Sequence, residues 1–112
     1  MNMKVFISQP MRGLSNEEIL ILREKVQNYI REQYKEEDIE FIDSFFKDAP
    51  VDAKPLWYLA DSLKLMSEAD IIVFAGAWST ARGCIIEHKC AKDYGYDIVY
   101  VSNNLLDGIN MT

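Results

Sequence analysis

The sequence predicts a small doubly wound α/β domain, in which helices cover both faces of a parallel sheet. Two observations indicate this class. Short apolar runs of strand length alternate along the chain with longer stretches whose apolar residues recur at helical spacing. One of the short runs, IIVFA at Ile71–Ala75, is apolar throughout, as is typical of a strand buried on both faces of a parallel sheet.

The first half of the chain supplies two strands and the helix between them. The first strand is predicted over Lys4–Ser8. The helix that follows has a strong start signal, because Ser15 and Glu18 have the spacing of a capping box. We expect this helix to extend to about Tyr34, and a second strand to lie near 39–42.

The second half of the chain continues the alternation. Pro55 suits the first turn of a second helix. The apolar residues of that helix expected to cover the sheet are Leu56, Leu59, Ala60, Leu63 and Met66. The third strand is IIVFA, a third helix is predicted over about 82–94, and a last strand over 98–101.

The order βαβαβαβ corresponds to the flavodoxin-like or Rossmann-like class, here a single domain over residues 1–112 with a four-stranded parallel sheet in the order 2-1-3-4. Ligands of such sheets bind outside the carboxyl ends of the strands, where the winding direction switches. The switch would lie between the first and third strands. Because SQPMRG (8–13) and GAWSTARG (76–83) follow these strands, we expect the ligand site between these two turns.

Composition narrows the classes of partner. With 12 basic and 18 acidic residues, the net charge of −6 has the wrong sign for coating a nucleic-acid polymer, so a nucleotide-like partner should be small. The sequence has no apolar run of membrane-spanning length and no signal-peptide pattern, so we expect a cytoplasmic protein without membrane contact. Cys84 and Cys90 lack a CxxC or Cys/His cluster, so reduced thiols are expected, with no metal and no cofactor.

Glu87 is the candidate that the helical pattern singles out. It falls in the middle of an apolar face of the third helix, and the other members of that face are Gly83, Cys84, Ile86, Cys90, Ala91 and Tyr94. A carboxylate on a core-facing stripe is costly unless it is satisfied, and such a group suits a nucleophile or a base. It could equally bond loop amides or pair with Arg12 to hold two loops together. His88 is expected to face solvent, which argues against a catalytic histidine.

The residues of the two turns each have a functional and a structural interpretation. Arg12 could bind a phosphate or carboxylate through its planar fork, or be a surface arginine. Ser79 or Thr80 is expected to cap the third helix. Gly83 permits close approach of a ligand, or tight packing of the helix on the sheet. Trp78 could stack on a base, or belong to the core.

Three stretches together carry a resemblance to a known family. They are KVFISQPMRG at the first strand, Asp61 followed by Ala69-Asp70-IIVFA, and Ser79, Gly83 and Glu87 in the pattern SxxxGxxxE followed by Ala91 and Gly95. In their order and spacing the chain resembles the nucleoside 2-deoxyribosyltransferase-like superfamily, especially its short members. The resemblance covers nearly the whole chain.

The resemblance implies a nucleophile and a set of substrate contacts. In this family a glutamate attacks the anomeric carbon of a deoxynucleoside, and Glu87 matches it by position. The residues implied to surround sugar, base and phosphate are Ser8, Gln9, Arg12, Gly13, Asp61 and Ser79 or its neighbour. Gly83, which permits close approach of a ligand, is added to this set. The bulkier AWSTAR segment departs from the family pattern and adds Arg82, which could bind phosphate or pair with Glu87. Family members commonly form dimers or larger assemblies.

Two functional hypotheses of different classes follow. The first is an N-glycosidic-bond hydrolase or transferase that acts on a (deoxy)nucleoside or nucleoside monophosphate through Glu87. The second is a non-catalytic protein that binds a nucleotide or a nucleotide-derived signal, with Arg12 and Arg82 as phosphate ligands that neutralise Glu87. A weaker third is a purely structural or interaction protein of the same fold.

The second helix carries more apolar surface than one stripe needs. Around Asp61 lie Trp57, Tyr58 and Leu65, on a side next to the stripe that faces the sheet. Such a patch predicts a homodimer or a higher homo-oligomer formed through this helix. The alternative is that the loop holding Phe45 and Phe46 folds over the patch within one chain.

Overall fold

A four-stranded, all-parallel sheet forms the centre of the fold, with strand order β2-β1-β3-β4. The computed structural model describes residues 2–44 and 49–105. The strands are β1 (Asn2–Ser8), β2 (Asp38–Phe41), β3 (Ile71–Ala75) and β4 (Asp97–Val101). The predicted α/β class and strand order are confirmed.

Three α-helices connect the strands: α1 (Asn16–Gln33), α2 (Pro55–Met66) and α3 (Arg82–Asp93). A single turn of 3₁₀-helix, Trp78–Thr80, precedes α3. None of the helices within the described residues is long and apolar enough to cross a membrane. Phe45 and Phe46, for which we considered a fold over α2, lie outside the described residues.

The register of the sheet brings the two expected turns to one edge. Ser8, the last residue of β1, lies opposite Phe74 of β3. Because β1 and β3 are neighbouring parallel strands, they end at the same edge of the sheet. Residues 8–13 and 76–83 therefore lie side by side at the carboxyl edge.

The two faces of the sheet carry separate apolar clusters. Val5 and Ile7 of β1 belong to the cluster that contains Val26 and Ile30 of α1. Phe6 belongs to the cluster on the other face, which contains Met66 of α2 and Ala91 of α3. Because side chains alternate along a strand, Ser8 points to the same face as Phe6, toward α2 and α3.

The capping box predicted for α1 is present. The Glu18 backbone N–H donates to Ser15 Oγ at 3.1 Å, and the Ser15 backbone N–H donates to Glu18 Oε1 at 3.0 Å. Gly13, in the turn before this cap, has φ of +82°, a left-handed conformation that favours glycine. The turn SQPMRG therefore ends in a backbone conformation that favours glycine at its last position.

The apolar stripe predicted for α2 is wrong in its first half. Met66 is the residue of this helix that is buried, and Leu63 and Leu65 pack beside it against the second cluster. Leu56 is 73% exposed and Ala60 is also exposed. Among the described residues, the helix therefore contacts the second cluster through its carboxyl-terminal turns, and Leu65, which was predicted on the patch beside the stripe, packs there as well.

The predicted face of α3 is correct at its centre and wrong at its margins. Cys84, Glu87 and Ala91 are buried, as expected. Ile86 is exposed because it lies about 100° from Glu87, at the edge of the stripe. Tyr94 is 80% exposed because the helix ends at Asp93, so helical spacing no longer places it.

The cap predicted for α3 is also wrong. The N-cap residue is Ala81, and no side chain caps the helix. Ser79 and Thr80 lie in the 3₁₀ turn instead, where Thr80 Oγ1 donates to the Ala77 carbonyl at 2.7 Å. The extra turn between β3 and α3 moves both hydroxyl residues away from the helix start.

Candidate functional site

A hydrogen bond joins the two elements that were expected to form the site. Ser8 Oγ donates to Glu87 Oε1 at 2.7 Å. Both side chains are buried, with exposed fractions of 2% for Ser8 and 6% for Glu87. The structure thus brings the end of β1 and the middle of α3 together at the point where the winding of the sheet switches.

The surroundings of Glu87 act on its charge in opposite directions. Burial raises its pKa, because removal of water penalises the carboxylate more than the carboxylic acid. Hydrogen bonds from Ser8 and Ser62 and the positive charge of Arg23 each act to lower the pKa. The carboxyl group is therefore nearly excluded from solvent and bound by the Ser8 hydroxyl of β1, and the Ser62 hydroxyl of α2 also acts on it.

Gln9 connects the same strand end to α1. Its Nε2 donates to the Ile19 carbonyl at 3.1 Å, and its Oε1 accepts from Arg23 Nε at 2.8 Å. The side chains of Gln9 and Arg23 are both buried. Gln9, which the resemblance places near substrate, is thus bound to the first helix by both ends of its amide.

Arg23 is the residue that sequence reasoning missed. Burial lowers the pKa of its guanidinium, and the negative charges of Asp43 and Glu87 act in the opposite direction. The signal was available in the sequence. Arg23 lies four residues after Ile19 and three before Val26, so it is a charged residue on the buried stripe of α1, just as Glu87 is on that of α3.

Arg12 and Arg82 do not occupy the position expected of a partner of Glu87. Both are exposed, and within residues 2–44 and 49–105 neither forms an ion pair with it. The positive charge that acts on Glu87 comes from Arg23. Arg12 lies in the turn after β1, and Arg82 is the first residue of α3.

The remaining predicted residues lie around this edge of the sheet. Asp61 is half-buried, and its neighbour Ser62 is the residue of α2 that acts on Glu87. Ser79 is exposed. A methyl group added at Gly83 would meet no heavy atom within 4 Å. Tight packing against the rest of the described chain therefore does not explain a glycine at this position.

Cys84 lies one turn before Glu87 and is an unreactive thiol. Burial, with a smaller contribution from the charge of Glu87, raises its pKa to about 11, against the influence of a hydrogen bond with Ser8. A thiol in this state is not a nucleophile at neutral pH. Cys84 and Cys90 are both free, and no group of His, Cys, Asp and Glu side chains in the described part of the chain could hold a metal ion.

Trp78 and His88 belong to an aromatic cluster in which both rings pack against Phe74, a buried residue of β3. Their ring centroids are 4.3 Å apart, and His88 Nε2 lies 2.6 Å from Tyr100 Oη. His88, predicted to face solvent, is half-buried in this cluster. The prediction was wrong because the His88 ring packs edge-on against buried Phe74, with the rings of Trp78 and Tyr100 beside it. The rings are engaged with one another, which favours the structural interpretation of Trp78.

An open groove of about 400 Å³ lies between α1 and the end of β2. Arg23, Arg31 and Asp43 are among the residues that line it, but Glu87 is not. Arg31 already lies over the ring of Phe41, with its guanidinium carbon 5.0 Å from the ring centroid. The groove therefore does not include the Glu87 carboxyl group or the Ser8 hydroxyl that is bound to it.

Compared with models of protein families, with curated proteins and with solved structures, the chain matches none of them. The resemblance to the nucleoside 2-deoxyribosyltransferase-like superfamily therefore stays a prediction.

The raised pKa of Glu87 predicts that Glu87→Gln stabilises the protein at neutral pH. A carboxyl group whose pKa is raised in the folded state favours folding when protonated, and this contribution is lost as the pH rises through the folded pKa. Glutamine keeps an oxygen that can accept from Ser8. We expect the variant to melt at a higher temperature than the parent at roughly pH 7 to 8, within the usual pH range of maximal stability. The difference in melting temperature should vanish near pH 4.5, the ordinary pKa of a glutamate side chain.

Thermal unfolding followed by circular dichroism across this pH range measures the effect. Glu36→Gln is the control, because Glu36 is an exposed glutamate in the turn after α1 and its replacement should change stability little at any pH. Equal melting temperatures for Glu87→Gln and the parent at every pH would contradict the assignment of Glu87 as a destabilised carboxylate.

Proposed function

We propose that this protein is an N-glycosidic-bond enzyme, a hydrolase or transferase, that acts on a (deoxy)nucleoside or nucleoside monophosphate through Glu87. The observation that supports the proposal most is the buried Glu87 carboxyl group bound to Ser8 at the switch point of the sheet. Buried carboxyl groups with perturbed pKa values at such positions are typical of reacting groups.

In the proposed reaction the Glu87 carboxylate attacks the anomeric carbon of the sugar. The bond from this carbon to the base nitrogen breaks, and its electron pair leaves with the base, which takes a proton from water. Glu87 is then joined to the sugar as an ester. Attack by water on the anomeric carbon gives the free sugar, whereas attack by the nitrogen of a second base gives a new nucleoside, and either step releases the carboxylate.

The two exposed arginines support a phosphate on the substrate. Arg12 lies in the turn that leaves β1, and Arg82 is the first residue of α3, so both belong to the segments that follow the two strands at the switch point. Guanidinium groups bind phosphate oxygens through paired hydrogen bonds. A nucleoside monophosphate would bind with its sugar between these two segments and with its phosphate group against one or both arginines.

Loss of the Glu87 carboxylate is expected to abolish turnover. The purified protein is incubated with deoxynucleosides, ribonucleosides and their monophosphates, with and without a second free base, and released base is followed by chromatography. We expect Glu87→Ala to reduce turnover by about 10³-fold or more, as for the loss of other nucleophiles. The control is Asp93→Asn, since Asp93 is an exposed carboxylate on the same helix. No turnover of any of these substrates, or full activity of Glu87→Ala, would refute the proposal.

The space beside Gly83 gives a second test of where the substrate lies. Gly83→Ala should change the free energy of unfolding by less than about 1 kcal/mol, because the methyl group meets no neighbour and alanine favours a helix. The same methyl group would enter space that we assign to the substrate. We expect the variant to keep its stability in urea unfolding and to lose turnover. Retention of both would place the substrate elsewhere.

A second candidate function is nucleotide binding without catalysis. It is favoured by the same exposed arginines, together with a carboxyl group that is nearly excluded from solvent. Thermal-shift measurements with nucleotides, cyclic nucleotides and ADP-ribose distinguish the two functions. Stabilisation by a ligand that is never turned over, and that persists in Glu87→Gln, would select the binding protein.

We further propose that α2 forms a homodimer contact. Leu56, Trp57 and Tyr58 are exposed on the first turns of this helix, next to an apolar groove of about 470 Å³. Aromatic residues on an exposed apolar surface are typical of interfaces, and a two-fold arrangement would let the surface meet itself. Such a dimer would bring Tyr58 or Asp61 toward the site of the neighbouring chain.

Light scattering at micromolar concentration tests the dimer. We expect about twice the chain mass of 12.9 kDa for the parent, and a monomer when Trp57→Glu and Tyr58→Glu are combined. Tyr94→Glu is the matched control, because Tyr94 is an exposed aromatic residue at the end of α3. A monomeric parent would remove the proposal, and a dimer that persists in the double variant would place the interface elsewhere.

A further inference from the structure

Arg23 is a buried charge on the core-facing side of α1. Its side chain is 7% exposed, and the other buried residues of this helix, Ile19, Val26 and Ile30, are apolar. Burial of a guanidinium group is costly unless hydrogen bonds and opposite charges compensate for the lost water. The hydrogen-bond acceptors and negative charges around Arg23 therefore indicate what its charge does.

Hydrogen bonds supply part of this compensation. Arg23 Nε donates to Gln9 Oε1 at 2.8 Å, whereas Nη2 is buried without a hydrogen-bond partner among the described residues. The other compensation is electrostatic and comes from the carboxylates of Asp43 and Glu87. A buried guanidinium that is incompletely hydrogen-bonded depends on these negative charges.

Arg23 and Glu87 also act on consecutive residues of one strand end. Glu87 accepts from Ser8, and Arg23 donates to Gln9, the next residue. The first contact comes from α3 and the second from α1, which cover opposite faces of the sheet. The strand end is thus held from both sides by residues of opposite charge.

We propose that Arg23 is a positioning residue of the site, whose charge favours the ionised form of Glu87 and whose bond to Gln9 fixes the strand end that carries Ser8. The inference rests on the proposed function in taking Glu87 as the reacting group. Its test does not require turnover. Whether or not the protein turns over a substrate, the test can therefore show that Arg23 does not act on Glu87.

The other groups around Glu87 do not supply this charge. Ser8 and Ser62 are neutral, and Cys84 on the same helix holds its proton because burial raises its pKa to about 11. Asp43 is negative and acts on Arg23 from the end of β2. Among the described residues, Arg23 is the cation whose charge acts on Glu87.

The first measurement is the titration of Glu87 in the full-length chain, followed by the carbon-13 signal of its carboxyl group. We expect the midpoint to move to higher pH in Arg23→Met and to stay close to that of the parent in Arg23→Lys, which keeps the charge. Arg31→Met is the control, because Arg31 is an exposed arginine two turns along α1, and it should leave the midpoint in place. Where turnover is found, its acid limb should move with the midpoint.

The second measurement is a double-mutant cycle on stability. If Arg23 offsets part of the cost of an ionised Glu87, then Glu87→Gln should raise the melting temperature at neutral pH more in Arg23→Met than in the parent. The cycle isolates the interaction between the two side chains. A purely structural role of Arg23 would give the same increase in both backgrounds.

Equal titration midpoints in the parent and Arg23→Met, or additive changes in the cycle, would overturn the proposal. Arg23→Gln is a second neutral variant, able to hydrogen-bond with Gln9, for use where the methionine variant does not fold. Recovery of folding by Glu87→Gln in either neutral variant would support the proposal. Loss of folding in both, without recovery by Glu87→Gln, would overturn it, because Arg23 would then act through packing.

Discussion

The hydrogen bond between Ser8 and Glu87 is the contact on which the site depends, and the topology of the sheet brings its two partners together. The two residues are 79 positions apart in the sequence. They meet because β3 lies beside β1 in parallel, and because α3 crosses back over the face to which Ser8 points. Without that strand order, a carboxylate on the apolar face of α3 would have no donor at the end of β1, and its burial would be costly.

A second buried charge accompanies the first, on the opposite face of the sheet. Arg23 and Glu87 are each the one charged residue among the buried residues of their helix, where burial of a charge is costly. Local rules of folding are most often violated at functional sites, where stability is given up for chemistry. The two violations adjoin consecutive residues, Ser8 and Gln9, which makes one shared role a simpler explanation than two separate ones.

How much the sequence predicts depends on whether a feature is set locally. The strands and the α1 capping box follow from short-range patterns, the strand order was expected from the fold class that their alternation indicates, and Glu87 was found because a charge interrupted an apolar stripe. The same rule applies to Arg23. It was missed because α1 is longer and carries more charged residues, so one arginine on its buried stripe is harder to recognise from the sequence. Periodicity could not show that α2 reaches the core only through its last turns, nor that a 3₁₀ turn separates Ser79 and Thr80 from α3, because both depend on where the helices sit on the sheet.

The three arginines of the site region show how burial divides the roles of one residue type. Arg12 and Arg82 are exposed, so their charges are screened by water until a ligand excludes it. Arg23 is buried, so its charge acts on Glu87 whether or not a ligand is present. A substrate phosphate bound at the outer arginines would bring a negative charge toward Glu87 and favour its protonation. In the proposed reaction the nucleophile must stay ionised at that moment, and a fixed cation behind the strand end opposes this effect without competing for the phosphate.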